Sequence, residues 1–206
     1  MQKIVTILIA FLGVFLLTDC VQVPKDYVEH KVNLKNNLGE LTIILPLEFD
    51  TVYSWTKYED NPCAFFEMVR FANKKYSLLQ ESGFIYGVIP DSLYQLTIMQ
   101  LTYHLDCDAT PDFNDEILED YVENIKAINP AKEYDFFIKE IRKINDKKFM
   151  IVGFNWQEEE GTCGTEILLS TEVKGYSVWL KFVCQAKNCT DFINKIERSF
   201  NSIKFK

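Results

Sequence analysis

The chain has 206 residues, of which 22 are basic and 30 are acidic, so its formal net charge is −8. Hydrophobic residues make up 48% of the chain, and it contains only 8 glycines and 6 prolines. These values are typical of one globular domain and exclude a collagen-like or disordered chain. Because an acidic protein has no general attraction for phosphate backbones, nucleic acid is not an expected partner.

Residues 1–19 are predicted to form a signal peptide. Lys3 makes the start positive, and the apolar run that follows is shorter than the roughly 20 residues a helix needs to cross a bilayer. The run ends in Leu17-Thr18-Asp19-Cys20, which resembles the lipobox of bacterial lipoproteins, although Asp19 departs from the small uncharged residue of that pattern. The resemblance implies an exported protein, periplasmic or on the outer surface, that is anchored to the membrane through a lipid on Cys20. The alternative is an ordinary secretory leader that is cut after Cys20.

Residues 20–38 are predicted to be a polar tether, and residues 39–206 a single α+β domain. The tether contains Pro24 and the Asn36-Asn37 pair, which are typical of irregular chain. Two β-rich runs, residues 41–45 and 65–71, predict the first strands of the domain.

Three large aromatic residues, Tyr53, Trp55 and Tyr58, lie between these two runs in a segment that is predicted to be irregular. Such side chains either pack against the domain or line a binding surface. They are therefore candidate binding residues.

Residues 94–105 alternate between apolar and polar side chains, first in one phase and then, from Met99, in the other. We predict a strand with a β-bulge near Ile98-Met99, because a bulge would keep both apolar sets on the core face.

Residues 112–128 predict an amphipathic helix that Asn114 caps and Pro130 ends. Its polar face is acidic, and we select three of its residues as candidate binding residues: Asp115, Glu119 and Glu123. The preceding Asp106-Cys107-Asp108 begins like a calcium loop. However, Pro111 stands where that loop needs glycine, so no metal site is expected.

The last third of the domain predicts antiparallel strands followed by a closing helix. The predicted strands are residues 134–144, 149–156, 166–173 and 176–184, of which the last two form a tight hairpin around Lys174-Gly175. The spacing of Phe137, Ile141 and Ile144 also fits a helix, so a helix is the alternative for the first of these segments. Thr190 is predicted to cap the helix. The helix has an apolar face made of Phe192, Ile193, Ile196 and Phe200.

Cys184 and Cys189 flank the predicted junction between the last strand and this helix, a reversal tight enough for a disulfide. An exported protein would meet an oxidising compartment in which such a bridge forms. The alternative is that most of the cysteines are buried free thiols. The chain has no Cys-x-x-Cys, which argues against a thioredoxin-type redox site and a zinc ribbon.

The order of these elements, ending in an amphipathic helix and Phe200-Asn201-Ser202-Ile203-Lys204-Phe205, resembles the PsbP-like α/β/α sandwich over residues 38–206. The resemblance implies a mostly antiparallel sheet flanked by helices and a non-catalytic binding or adaptor role with a protein partner. It carries over no catalytic residue and no cofactor. The alternative is a carboxylate-dependent hydrolase acting outside the cytoplasm, with Glu158, Glu159 and Glu160 as its acids, although three consecutive acids beside glycine also suit a solvated loop.

Overall fold

A computed structural model describes residues 23–58, 65–73, 79–81, 84–86, 92–102, 113–158, 161–186 and 188–206. In chain order, the elements in these ranges are β1 (Tyr27–Leu34), β2 (Gly39–Pro46), β3 (Thr51–Tyr58), β4 (Phe65–Ala72), β5 (Leu79–Glu81), β6 (Phe84–Tyr86), β7 (Ser92–Thr102), α1 (Asp115–Ile128), β8 (Glu133–Ile144), β9 (Lys147–Gln157), β10 (Cys163–Val173), β11 (Tyr176–Ala186), α2 (Thr190–Asn201) and β12 (Lys204–Phe205). Within these ranges, neither helix has the length and apolar character needed to cross a membrane.

A seven-stranded sheet forms the centre of the domain. Its strand order is β3-β4-β7-β11-β10-β9-β8, and every neighbouring pair is antiparallel. A second sheet has the order β1-β2-β12, and β5 pairs with β6. The mostly antiparallel α+β sandwich predicted from the sequence is therefore confirmed.

The central sheet is covered on both faces, which explains why its inner strands carry apolar side chains on both faces. On one face a large core joins the sheet to β2 and α2; it includes Leu41, Ile43, Leu180, Phe182, Ile196 and Phe200. On the other face a smaller core lies under α1; it includes Leu118, Val122, Ile125, Val152, Phe154 and Leu168. The domain thus has three layers.

The predicted tether is wrong over residues 27–34, which form β1. This strand pairs along its whole length with β2, from Tyr27 opposite Pro46 to Leu34 opposite Gly39. It lies at the edge of its sheet and buries few side chains, chiefly Tyr27, Val32 and Leu34. Most of its other positions are polar, and this made the segment resemble a linker.

Two predictions about the strands are also wrong. Tyr53, Trp55 and Tyr58 lie in β3, not in an irregular segment, and β3 forms one edge of the central sheet. In β7 the described residues keep one continuous register through Ile98 and Met99 with both neighbouring strands, so there is no bulge there. The change of apolar phase arises because β7 is an inner strand with packing on both faces.

Both helices begin close to where the sequence predicts. The Asn114 side chain accepts a hydrogen bond from the backbone N–H of Ile117 over 2.9 Å, which confirms the cap of α1. For α2 the prediction of a Thr190 cap is wrong, because the capping position belongs to Cys189, which makes no side-chain capping bond. Cys189 is instead held by a disulfide to Cys184, with 6.1 Å between the two Cα atoms, as the sequence predicts.

Candidate functional site

A cavity of about 540 Å³ lies between α1 and the central sheet. Most of the described residues that line it are apolar or aromatic: Phe66, Met99, Tyr121, Ile125, Ile128, Tyr134, Phe154, Trp156, Leu168 and Trp179. Polar lining groups come from Asn129, Lys132, Glu166 and Lys181. Ile128 is 83% exposed although it lines the cavity, so the cavity opens to solvent near the C-terminal end of α1.

The cavity forms because α1 covers only part of one sheet face. The buried side of the helix packs on β9 and β10, through residues such as Val152 and Leu168. Next to this contact, Trp179 on β11 meets the ring of Tyr121 on α1, with 5.2 Å between ring centres. The helix thus rests on one part of the face, and the gap beside it has aromatic walls.

The cationic groups of the cavity wall are paired with carboxylates. Lys181 Nζ lies 2.6 Å from Glu166 Oε2, and Lys132 Nζ lies 3.0 Å from Glu158 Oε1. The Lys132 ammonium also lies over the ring of Trp156, 3.8 Å from its centre. Because each positive charge is balanced locally, the wall does not favour a strongly anionic molecule.

One buried donor in the wall has no partner. Trp156 is only 4% exposed, and its indole Nε1 makes no hydrogen bond within the described part of the chain. A buried N–H without an acceptor costs roughly 1–3 kcal/mol. Because the Nε1 atom is closed to solvent, an acceptor brought by a ligand would remove this cost only if the ring or its neighbours shifted.

The hydroxyl groups in the cavity remain protonated at neutral pH. Burial raises the pKa of Tyr121, and the negative charge of Glu166 raises it further. The pKa of Tyr134 is raised by burial and by the carboxylates of Glu166 and Glu158. Neither phenol is therefore set up to act as a base.

Tyr53 and Trp55, two of the aromatic residues selected from the sequence, lie on the same face of the central sheet as the cavity. The register places Trp55, Met68, Met99 and Trp179 in one row across four strands. Tyr53 lies in the next row on the same face, and its ring stacks on Trp55 at 5.8 Å between centres. Arg70 lies over the Trp55 ring at 5.0 Å. These groups lie at the β3 edge of the face and do not line the cavity. The side chain of Tyr58 is outside the described residues.

The acidic candidates on α1 point away from the cavity. Asp115, Glu119 and Glu123 are all exposed. Glu123 pairs with Lys126 at 2.8 Å, and Glu119 pairs with Lys139 at 3.3 Å. The structure therefore does not bring the acidic and aromatic candidates together on one surface.

Comparison with solved structures identifies the architecture. The solution structure of cyanobacterial PsbP (CyanoP) from Synechocystis sp. PCC 6803 matches with a TM-score of 0.51 and 10% sequence identity, over 92% of this chain and 99% of that chain. The domain has a PsbP-like fold. A crystal structure from Bacteroides thetaiotaomicron VPI-5482 is also similar, with a TM-score of 0.36 and 12% identity, over 81% of this chain and 45% of that chain. No family model matches the sequence, and no relative is found among curated proteins.

The carboxylates selected for a hydrolase do not form a site in the described part of this PsbP-like domain. Glu158 follows β9 and pairs with Lys132, whereas Glu159 and Glu160 are outside the described residues. Glu166 is the only described carboxylate in the cavity wall, and it pairs with Lys181. In the same described ranges, no group of three metal-ligating side chains comes together. Cys20 is also outside these ranges.

Sequence reasoning missed the side chains that give the PsbP-like domain its cavity, above all Trp156, Trp179, Glu166 and Lys181. A signal was present, since Glu166 and Lys181 are charged residues within the predicted strands β10 and β11. Charged residues in the inner strands of a covered sheet require partners. The same two residues mark the polar part of the cavity wall.

Proposed function

We propose that this chain is an exported, lipid-anchored binding protein whose PsbP-like domain holds an uncharged apolar molecule in the cavity beside α1. The observation that carries the proposal is the cavity itself, at about 540 Å³, with aromatic walls and a buried indole N–H that has no partner among the described residues. Small-molecule sites commonly have volumes of about 300–1,000 Å³, mostly apolar walls and a few polar groups that orient the ligand.

The chemistry of the wall narrows the class of ligand. Aromatic side chains such as Tyr121 and Trp179 favour a flat or ring-containing molecule. Because Lys181 and Lys132 are each paired with a carboxylate, the described residues of the wall offer no free charge to bind a charged ligand. The unpartnered N–H of Trp156 favours a carbonyl or ether oxygen. The expected ligand is therefore an uncharged, ring-containing molecule with one hydrogen-bond acceptor.

Photolabelling with benzophenone, an uncharged diaryl ketone, tests this site in protein extracted from its host membrane. Irradiation bonds the ketone carbon to nearby C–H groups, and mass spectrometry of tryptic peptides locates the label. We expect labelling of the peptide of residues 127–132, which contains Ile128 at the cavity mouth. Labelling that is confined to peptides without cavity residues would contradict the proposal.

A pair of matched variants tests the role of the indole N–H. Trp156 and Trp55 both carry a buried Nε1 without a partner in the described ranges, but only Trp156 lines the cavity. We expect Trp156→Phe to reduce benzophenone labelling at the cavity about five-fold, because one hydrogen bond is worth about 1 kcal/mol. Trp55→Phe should leave the labelling unchanged. Leu168→Trp, which places a larger side chain in the wall, should abolish it. Equal labelling in all three variants would exclude the cavity as the site.

Export and anchoring are supported by the leader, the Leu17-Thr18-Asp19-Cys20 sequence and the Cys184–Cys189 disulfide, since such bridges are typical of exported proteins. The intact mass of the protein from host membranes tests this half of the proposal separately. A chain that begins at Cys20 and carries acyl groups is the expected result. A chain that begins at Val21 without lipid would contradict the anchor, and a chain that retains residues 1–19 would contradict processing of the leader.

A further inference from the structure

A second cavity, of about 370 Å³, lies where β9 and β11 end and where β10 and α2 begin. Two of the residues that line it are cysteines, Cys163 at the start of β10 and Cys189 at the start of α2. Cys189 is bonded to Cys184, whereas Cys163 is a free, partly exposed thiol. A thiol and one sulfur of a disulfide therefore line the same cavity.

The strand register places Cys163 and Cys184 on the same face of the sheet, on neighbouring strands. Thr165 on β10 lies opposite Cys184 on β11, and Cys163 is two positions further along β10, on the same face of the sheet. The backbone oxygen of Ala186 lies 3.6 Å from Cys163 Sγ and 3.7 Å from Cys189 Sγ. Both sulfurs thus lie beside the same oxygen atom.

We propose that Cys163 exchanges with the Cys184–Cys189 disulfide, so that the domain has two alternative bridges. The Cys163 thiol loses its proton, and the thiolate attacks Cys189 Sγ. A Cys163–Cys189 bond forms as the Cys184–Cys189 bond breaks, and the electron pair of the broken bond stays on Cys184, which takes up a proton. The step consumes no oxidant and no reductant. Cys189 is the sulfur attacked because it lines the cavity with Cys163, whereas Cys184 is completely buried.

The exchange changes which elements are tied together. In the described structure the bridge joins the end of β11 to the start of α2 across five positions of sequence. In the alternative form the bridge joins the start of β10 to the start of α2, and no disulfide links β11 to the helix. Tyr134 and Trp156 line both this cavity and the one beside α1, whereas Cys163 and Cys189 line only this one.

Trypsin digestion can locate the free thiol because Lys187 lies between the two bridged cysteines. Cys163, Cys184 and Cys189 fall in separate peptides, residues 149–174, 182–187 and 188–195. Full-length protein from host membranes is held at about pH 8.5 or about pH 5, since exchange requires the thiolate and is slow in acid. It is then denatured in the presence of N-ethylmaleimide, which traps free thiols, and is digested without reduction.

We expect roughly five-fold more label on Cys184 after incubation at the higher pH, together with a linked pair of peptides that contain Cys163 and Cys189. The Cys163→Ser variant should show no label on Cys184 at either pH, and it should retain the Cys184–Cys189 link. Label on Cys163 alone at both pH values would overturn the proposal. Label on Cys189, or a link from Cys163 to Cys63 or Cys107, would overturn it as well.

Discussion

The ammonium group of Lys132 lies 3.8 Å from the centre of the Trp156 ring and pairs with the carboxylate of Glu158 at 3.0 Å. The side chain of Lys132 is only 19% exposed, so both contacts are partly shielded from water. Lys132 therefore connects the loop after α1 with β9 and forms one side of the cavity beside α1.

Replacement of Lys132 tests how much its contacts with the Trp156 ring and with Glu158 stabilise the domain. We expect Lys132→Met to lower the free energy of unfolding by about 1 kcal/mol, because it removes a shielded cation–π contact and an ion pair. Urea denaturation measures the change. Lys139→Met is the matched control, since its ion pair with Glu119 is more exposed, at 40% and 61% of the two side chains, and should be worth less than about 0.5 kcal/mol. Equal losses in the two variants would show that the Trp156 contact adds nothing.

Parts of the fold with a strong local pattern could be predicted from the sequence. The spacing of apolar residues and the Asn114 cap predicted α1, and Lys174-Gly175 marked the turn between β10 and β11. In that turn both residues have positive φ, 50° at Lys174 and 85° at Gly175. Lys174 adopts this conformation, and its ammonium group donates a hydrogen bond to the backbone oxygen of Asn37 over 2.8 Å. This long-range bond could not be predicted from the turn sequence.

Features that depend on distant pairing could not be predicted. The strand β1 buries few side chains because it is an edge strand, and only its pairing with β2 distinguishes it from a tether. Prediction of the candidate site would also require knowledge of which distant segments lie next to one another. Its walls come from α1 and from strands far apart in sequence, and local patterns do not show which part of the sheet the helix leaves uncovered.

Substitution of Gly39 is expected to destabilise the domain, because this position requires glycine for two reasons. Its φ is +100°, and a Cβ atom there would overlap the backbone oxygen of Lys206. That oxygen accepts a hydrogen bond from the N–H of Glu40 over 3.1 Å, which joins the C-terminus to β2. We expect Gly39→Ala to lower the free energy of unfolding by about 3 kcal/mol through strain and loss of this pairing.

The control for this substitution is Gly175→Ala. Gly175 also has a positive φ, 85°, but a Cβ atom there would have no neighbour within 4 Å. The Gly175→Ala substitution should therefore lower the free energy of unfolding only through conformational strain, by about 1 kcal/mol. If urea denaturation shows the same loss for both variants, the contact between Gly39 and Lys206 does not contribute.

The Cys184–Cys189 bridge is expected to stabilise the domain modestly because it closes a short loop. In the chain-entropy model a loop of this length contributes about 2 kcal/mol. The double substitution Cys184→Ala and Cys189→Ala should lower the free energy of unfolding by about that amount, measured without reductant. Cys163→Ala, which removes a free and partly exposed thiol, should cost less than about 1 kcal/mol. A double variant as stable as the original chain would contradict a stabilising bridge.

His30 on β1 should make stability depend on pH. Burial lowers the pKa of this imidazole, whose ring packs 4.8 Å from that of Phe71. The folded state therefore binds the proton less tightly than the unfolded state. Its contribution to stability is fully present above the unfolded pKa, about 6.5, and is lost as the pH falls through the lower folded value.

His30→Phe keeps an aromatic ring at this position but cannot be protonated. The free energy of unfolding of both chains is measured by urea denaturation at about pH 7.5 and about pH 5, which bracket the ordinary histidine pKa. Carboxylates titrate in both chains, so their effect cancels in the comparison. We expect the original chain to lose more stability on acidification than the His30→Phe chain. Equal losses would mean that the folded protein binds the proton on His30 as tightly as the unfolded chain does.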